Sequence, residues 1–133
     1  MTRAQFGFTL IELVVVMAVV AILAAVAIPN YSAYVMRSHR SAAQSFISDV
    51  ASRQSQFFLD RRRYATNLDL DQLNMTAPAD VAARYNIAIA AVAGPPATFL
   101  VSATPIGAQA TDNCGVMTIN QAADKTAAGA RCW

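Results

Sequence analysis

The sequence predicts an α+β fold in which one long N-terminal α-helix packs on a small antiparallel β-sheet. Three observations carry this prediction: an apolar run over residues 8–28, a helical period over residues 30–63, and two alternating runs of strand-forming residues joined by a Gly-Pro-Pro turn. The chain has 133 residues, of which 56% are hydrophobic and 14% are charged, and its net charge is +2. This length limits the chain to one compact domain.

The apolar run contains a single carboxylate, Glu12. A helix formed by its 21 residues would be about 32 Å long, which is enough to cross a bilayer core of about 30 Å. An acidic side chain costs about 2.5 to 3.5 kcal/mol at the centre of such a helix and less near its edge. Since no Lys, Arg or His occurs between Phe8 and Ile28, we expect the partner of Glu12 to come from another molecule, a terminus or water.

The leader that ends in Gly7, followed by Phe8-Thr9-Leu10-Ile11-Glu12 and the apolar helix, resembles the N-terminus of type IV prepilins and of the related pseudopilins. The resemblance implies that a prepilin peptidase cuts between Gly7 and Phe8 and methylates Phe8, and that the helix stays on the protein. It also implies that Glu12 pairs with the N-terminal ammonium of a neighbouring subunit during assembly. Such a pair attracts strongly in a low dielectric and would set the register between subunits.

An ordinary secretory signal is the alternative, because Ala25-Val26-Ala27 fits the small-x-small cleavage pattern. Three features count against it: Pro29 would lie just after the cut, Glu12 interrupts the apolar segment, and Arg3 is the only basic residue before it. The mature chain should begin at Phe8 if a prepilin peptidase cuts it, and at Ile28 if an ordinary secretory signal is removed.

Pro29 follows the apolar run, and a proline inside a helix removes one backbone hydrogen bond. We therefore expect a kink or a locally melted turn there, which would assist assembly. Residues 30–63 then resume a helical period without Gly or Pro. Apolar residues recur at steps of three, four or seven, which predicts an amphipathic helix with one apolar face: Tyr31, Val35, Ala42, Phe46, Val50 and Phe57.

The segment 64–133 predicts a small sheet. Residues 66–73 predict a loop with at most one helical turn, and residues 85–89 and Thr98–Thr104 predict a hairpin around Gly94-Pro95-Pro96. A third strand is predicted at Val116–Asn120, followed by a loop over residues 121–131. Because 70 residues bury too little surface alone, the amphipathic helix must complete the core.

This arrangement resembles the pilin fold and divides the chain into four parts. They are a leader peptide at 1–7, a transmembrane and assembly helix at 8–29, an amphipathic helix half at 30–63, and a globular head at 64–133 with a disulfide-bounded C-terminal loop. In a chain that resembles exported proteins, Cys114 and Cys132 are expected to form that disulfide. Closing the loop would contribute about 3 kcal/mol; two buried free thiols are the alternative.

No enzymatic site is predicted, and no cofactor or metal is expected. His39 is interpreted as a solvated residue of the helix, and the sequence contains no Gly-x-Ser-x-Gly elbow and no His-Glu-x-x-His pattern. Asp112 and Asn113 could suggest calcium, but the acidic residues lack an EF-hand spacing and are interpreted as surface or capping groups. Residues 61–63 are three arginines followed by Tyr64, which could touch phosphates and stack a base. We interpret them instead as solvated charges that complement the helix dipole, and no nucleic acid partner is expected.

The later segments resemble the PilE group of minor pilins, through Tyr64-Ala65-Thr66 and the ending Cys132-Trp133. The resemblance implies a structural subunit of the type IV pilus, a minor pilin needed for assembly. Its partners would be other major and minor pilins, the prepilin peptidase and the inner-membrane assembly platform. The chain would cross the inner membrane once, with its head in the periplasm, and then join the cell-surface pilus. A type II secretion pseudopilin, a DNA-uptake pilin and a membrane-anchored module that never polymerises are the alternatives.

Overall fold

The computed structural model describes residues 7–66 and 72–133, with only the backbone described at positions 29 and 30. Contacts divide the chain into two compact units, Met1–Val35 and Met36–Trp133. The leader residues 1–6 and most of the predicted loop at 66–73 lie outside the described residues. The elements confirm the predicted α+β class, with one long helix and a small antiparallel sheet.

Helix α1 spans Leu10–Arg61. Its assignment runs through position 29, so the locally melted turn expected at Pro29 does not occur in the described backbone. The helix ends two residues before the predicted position 63, because Arg62 adopts a left-handed φ of 56°. The backbone N–H of Arg62 still donates to the carbonyl of Phe58 at 2.8 Å. This bond satisfies one of the last carbonyls of the helix.

The sheet has four antiparallel strands in the order β1-β2-β3-β4. Their bounds are β1 Tyr85–Val92, β2 Thr98–Pro105, β3 Met117–Asn120 and β4 Lys125–Thr126. The hairpin and the third strand are therefore confirmed. Strand β4 lies within the segment that was predicted as a loop, and two residues are too short for an alternating pattern. A helical turn α2 at Ala79–Ala82 and a 3-10 helix at Gly107–Thr111 were also not predicted.

Strand alternation places the odd-numbered residues of β1 to β3 against the core. The fully buried members include Val101, Ala103 and Met117, and they join Ile47 and Val50 of α1 in one cluster. The expected apolar face is confirmed at Phe46, Val50 and Phe57. Tyr31 in the N-terminal unit is 71% exposed, contrary to that prediction.

Gln54 is a buried polar residue on the apolar face of α1, and the sequence did not predict its burial. Its Nε2 donates to the carbonyl of Ala65 at 2.7 Å, and its Oε1 accepts from the Ala65 N–H at 2.8 Å. The side chain thus pairs with both backbone groups of Ala65 as a neighbouring strand would, and it satisfies polar groups that would be costly to bury unpaired.

Candidate functional site

The N-terminal segment holds the predicted cleavage and assembly residues. Gly7 and Phe8 are exposed and precede α1, and Phe8 is 86% exposed. A Cβ added at Gly7 would meet no atom within 4 Å. The fold of the described chain therefore does not require glycine at position 7. Cleavage after Gly7 and methylation of Phe8 remain predictions.

Glu12 has a partner within its own chain. The backbone N–H of Thr9 donates to Glu12 Oε2 at 3.5 Å, and the backbone N–H of Glu12 donates to Thr9 Oγ1 at 3.3 Å. Since α1 begins at Leu10, Thr9 is the N-cap, and the two residues form a reciprocal capping box. The expectation of a partner from another molecule, a terminus or water did not include this amide, and an outside partner stays a prediction. The missed signal was the Thr-x-x-Glu spacing at the start of an apolar helix.

The capping box leaves the assembly role of Glu12 open to a second partner. A carboxylate has about four lone-pair sites, and one long bond to an amide uses only one of them. An ammonium is a stronger partner than a neutral amide. Pairing of Glu12 with the N-terminus of another subunit stays a prediction, as does the assembly role of Pro29.

The first half of α1 exposes its apolar residues. Among the described residues, one helix is long and apolar enough to cross a membrane, and it is α1, whose most apolar 18-residue window is 0% buried. Nine large apolar side chains between Leu10 and Val20 are at least half exposed: Leu10, Ile11, Leu13, Val14, Val15, Val16, Met17, Val19 and Val20. Such a surface needs an apolar environment, which a bilayer or a bundle of equivalent helices would supply.

A buried polar network joins α1 to the C-terminal loop of the head. Arg40 donates to both carboxylate oxygens of Asp112, from Nε at 2.9 Å and from a terminal nitrogen at 2.5 Å. The Nε2 of Gln109 donates to Asp112 at 2.9 Å and to the carbonyl of Met36 at 3.1 Å. The backbone N–H of Cys114 also donates to Asp112, at 3.1 Å. One carboxylate thereby fixes the helix, the 3-10 helix and the disulfide loop together.

Asp112 was interpreted as a surface or capping group, and this interpretation was wrong because its side chain is only 4% exposed. Burial alone would raise its pKa, but the hydrogen bonds from Arg40, the Cys114 amide and Gln109, with the charge of Arg40, bring the pKa below its usual value. Within the described residues, no group of three His, Cys, Asp or Glu side chains could hold a metal ion. Burial also raises the pKa of the neighbouring Tyr85, and the charge of Asp112 adds to that shift.

The predicted disulfide is present between Cys114 and Cys132, with a Cα–Cα distance of 5.5 Å. The side-chain amide of Gln44 donates to the carbonyl of Cys132, so the end of the chain is held on α1. Trp133 donates from its indole nitrogen to the carbonyl of Thr126 at 2.8 Å, and Lys125 lies 4.8 Å from its ring centroid. The C-terminus is therefore part of the packed head.

The C-terminal end of α1 is the most basic part of the described head. Arg61, Arg62 and Arg63 are exposed, and the guanidinium carbons of Arg61 and Arg63 lie 5.7 and 5.2 Å from the Phe57 ring centroid. A cleft of about 220 Å³ lies between this end and the β1–β2 hairpin, and Arg62, Arg63 and Tyr64 contribute to its lining.

Tyr64 packs inside the head. Its ring stacks on Phe58 at 4.7 Å and meets Phe99 edge-on at 4.8 Å. Phe58 therefore occupies one face of the Tyr64 ring, and a base cannot stack on that face.

Family comparisons agree with both halves of the chain. Residues 29–118 match the family model described as "Type IV minor pilin ComP, DNA uptake sequence receptor", which covers more than half of the chain. Residues 2–28 match the prokaryotic N-terminal methylation motif. The chain belongs to the type IV pilin family.

Curated relatives are also pilins. The chain is 44% identical over 59 residues to the type IV major pilin protein PilA of Myxococcus xanthus, covering 44% of this chain and 27% of that protein. It is 41% identical over 65 residues to the wide pilus major component PilA4 of Thermus thermophilus, covering 49% of this chain and 50% of that protein. It is 35% identical over 85 residues to the type IV major pilin protein PilE1 of Neisseria gonorrhoeae, covering 64% of this chain and 51% of that protein. The chain thus spans from about a quarter to about half of the length of these relatives.

Proposed function

We propose that this pilin is a minor subunit that takes part in the assembly of a type IV pilus. The observation that supports the minor role is the extent of the family model: a model described as a minor pilin covers residues 29–118, which include most of the head. The relatives named as major pilins match over about half of their own length or less.

In this proposal the apolar half of α1 holds the precursor in the inner membrane, with the head in the periplasm. The prepilin peptidase cuts between Gly7 and Phe8 and methylates Phe8. The assembly platform then moves the subunit into the filament, where the apolar surface of α1 passes from lipid to a bundle of equivalent helices. The surface stays out of water throughout, so the transfer avoids the hydrophobic cost of exposure.

Glu12 is proposed to pair with the N-terminal ammonium of the neighbouring subunit. The capping box offers a matched control for this role, because Thr9→Val removes the cap but keeps the carboxylate. We expect Glu12→Ala to leave processing intact and to impair incorporation into filaments, whereas Thr9→Val should be incorporated almost normally. Equal impairment by both variants would mean that helix capping, and not pairing between subunits, explains the effect.

Quantification in sheared filaments tests the minor role. Mass spectrometry with isotope-labelled peptides should find this chain at a small fraction of the total pilin, and deletion of its gene should reduce the number of filaments. A dominant share of the filament mass would overturn the minor assignment.

DNA binding is a second candidate function, in contrast to the expectation from the sequence. The description of the matching family model names a DNA uptake sequence receptor, and three exposed arginines end α1. Exposed arginines beside a cleft suit contacts with phosphates, and such contacts make affinity depend on salt.

A salt series with fluorescent duplex DNA tests this candidate. If the arginines at 61–63 each neutralise one phosphate, their triple replacement by Ala should lower the slope of log affinity against log salt by about 2.7. The matched control is Arg53→Ala, since Arg53 is an exposed arginine earlier on the same helix. Affinity and slope that survive the triple change would remove these arginines as the DNA site.

A further inference from the structure

The outer face of the β-sheet, defined here as the even-numbered residues of β1 to β4, carries no charge. The odd-numbered residues of β1 to β3 pack toward α1, while the even-numbered residues are exposed or half-buried. The outer face comprises eleven residues from Asn86 to Thr126, and none of them is Asp, Glu, Lys, Arg or His. Charge in the described chain occurs at its rim, where the half-buried Arg84 directly precedes β1 and Asp124 accepts from Asn120 at 3.0 Å.

Exposed hydrophobic side chains of the head concentrate on this face. In the described part of residues 36–133, five large hydrophobic side chains are exposed, and only Leu59 lies on α1. Val92 and Leu100 belong to the outer face. Ile106 directly follows β2 and Val116 directly precedes β3, and both continue the alternation of even-numbered residues. An uncharged centre with such side chains and a polar rim is typical of a protein interface.

The middle of the outer face is built of short side chains. Ala88 pairs with Ser102, Ser102 pairs with Thr118, and Ala90 pairs with Leu100. Short side chains make a sheet face flat and allow a second sheet to pack at about 10 Å, the usual distance between stacked sheets.

We propose that the outer face binds the same face of a second copy of this chain. A nucleic acid would need cations on the protein side, and a charged protein partner would need charges of opposite sign. The outer face offers neither. When a face meets its own copy around a twofold axis, every charge near the axis meets a like charge, and a face without charges avoids that repulsion.

This contact goes beyond the proposed function. A twofold contact between equal faces closes on itself, whereas a helical filament grows through contacts between two different surfaces. The outer face would therefore join copies that are not successive subunits of one filament.

The size of the face sets the expected affinity. Strands of up to eight residues, with a rise of about 3.4 Å and a spacing of about 4.8 Å, give a footprint of roughly 400 Å². That is about half of the roughly 800 Å² per partner in a standard interface. The contact should be weak, with a dissociation constant above about 10 µM, and it should become populated where copies are held at millimolar effective concentration.

The proposal is tested by sedimentation equilibrium, which measures the mass of the full chain in density-matched detergent. Two variants that carry opposite charges at the same position of the outer face are compared with the wild-type chain. Ala90 is exposed on the edge strand β1, beside Leu100 of β2, so Ala90→Arg and Ala90→Glu should fold normally. We expect the mass of the wild-type chain to rise with concentration. Each variant alone should associate about tenfold more weakly or worse, because it brings two like charges into one contact. An equimolar mixture of the two variants should regain association.

The control is Ser45→Arg, which adds the same charge to an exposed position on α1 and should associate like the wild-type chain. Unfolding of each variant is followed by the fluorescence of Trp133, and Thr104→Arg replaces any variant that does not fold. A wild-type chain that stays monomeric, association that Ala90→Arg does not weaken, or a mixture that fails to recover would each overturn the proposal. Binding of a neutral polysaccharide that Ala90→Arg abolishes, without self-association, would also overturn it.

Discussion

Asp112→Ala should strongly destabilise the head, because four hydrogen bonds converge on one buried carboxylate. The change leaves the Arg40 guanidinium, whose side chain is only 16% exposed, without its ion-pair partner, and it removes acceptors from Gln109 and from the Cys114 amide. Removing one partner of a buried ion pair costs about 3 to 5 kcal/mol. For a unit of about 100 residues, a loss of 3 kcal/mol lowers the midpoint of thermal unfolding by roughly 12 °C or more.

The fluorescence of Trp133 is a suitable assay, since this single tryptophan packs beside the disulfide loop and reports the head rather than the apolar helix. Urea unfolding of the full chain in detergent gives the free energy of unfolding. The control is Asp60→Ala, because Asp60 is an exposed aspartate of α1. A double-mutant cycle with Arg40→Leu should show coupling of at least about 1 kcal/mol. A loss below about 0.5 kcal/mol for Asp112→Ala, or additive effects of the two single changes, would show that this ion pair does not stabilise the head.

Three further predictions follow from the described contacts. First, because the folded pKa of Asp112 lies below its unfolded value, its contribution is complete above about pH 4 and is lost as the pH falls toward the folded pKa; Asp112→Asn should flatten the acid limb of a plot of unfolding free energy against pH. Second, Thr9→Val should lower the protection of the amide hydrogen three residues later by about fivefold in hydrogen exchange, since it removes a cap worth about 1 kcal/mol; unchanged protection would contradict the capping box. Third, Gln54→Leu should lower the unfolding free energy by about 2 kcal/mol or more, because it orphans both backbone groups of Ala65, while the exposed Gln56→Leu should change it by less than about 0.5 kcal/mol; equal effects would contradict that role.

Local patterns were enough to predict the long helix, the β1–β2 hairpin and the third strand. The apolar run and the alternation in β1 and β2 are properties of neighbouring residues, and so is the Gly-Pro-Pro turn. The disulfide could also be predicted, because only two cysteines exist to pair.

Contacts between distant positions could not be predicted in the same way. Arg40 and Asp112 are 72 residues apart, and each looks like a surface charge until the fold brings them together. Gln54 looks like a polar interruption of an apolar face, and only the path of the chain after α1 provides its partner at Ala65. The short strand β4 depends on its pairing with β3 and carries no pattern of its own.

The capping box at Thr9 and Glu12 could have been predicted from its spacing. The cost of a carboxylate in an apolar helix favours a cation as the predicted partner, whereas the described residues provide a backbone amide. At a helix start, the free N–H groups should be counted before a distant partner is sought.

Mass spectrometry of the N-terminal peptide from sheared filaments measures processing and incorporation of this pilin together. We expect a peptide that begins at Phe8 with a methylated amine, recovered from the filament fraction. Recovery of the chain only from membranes, or with residues 1–7 still attached in filaments, would contradict it.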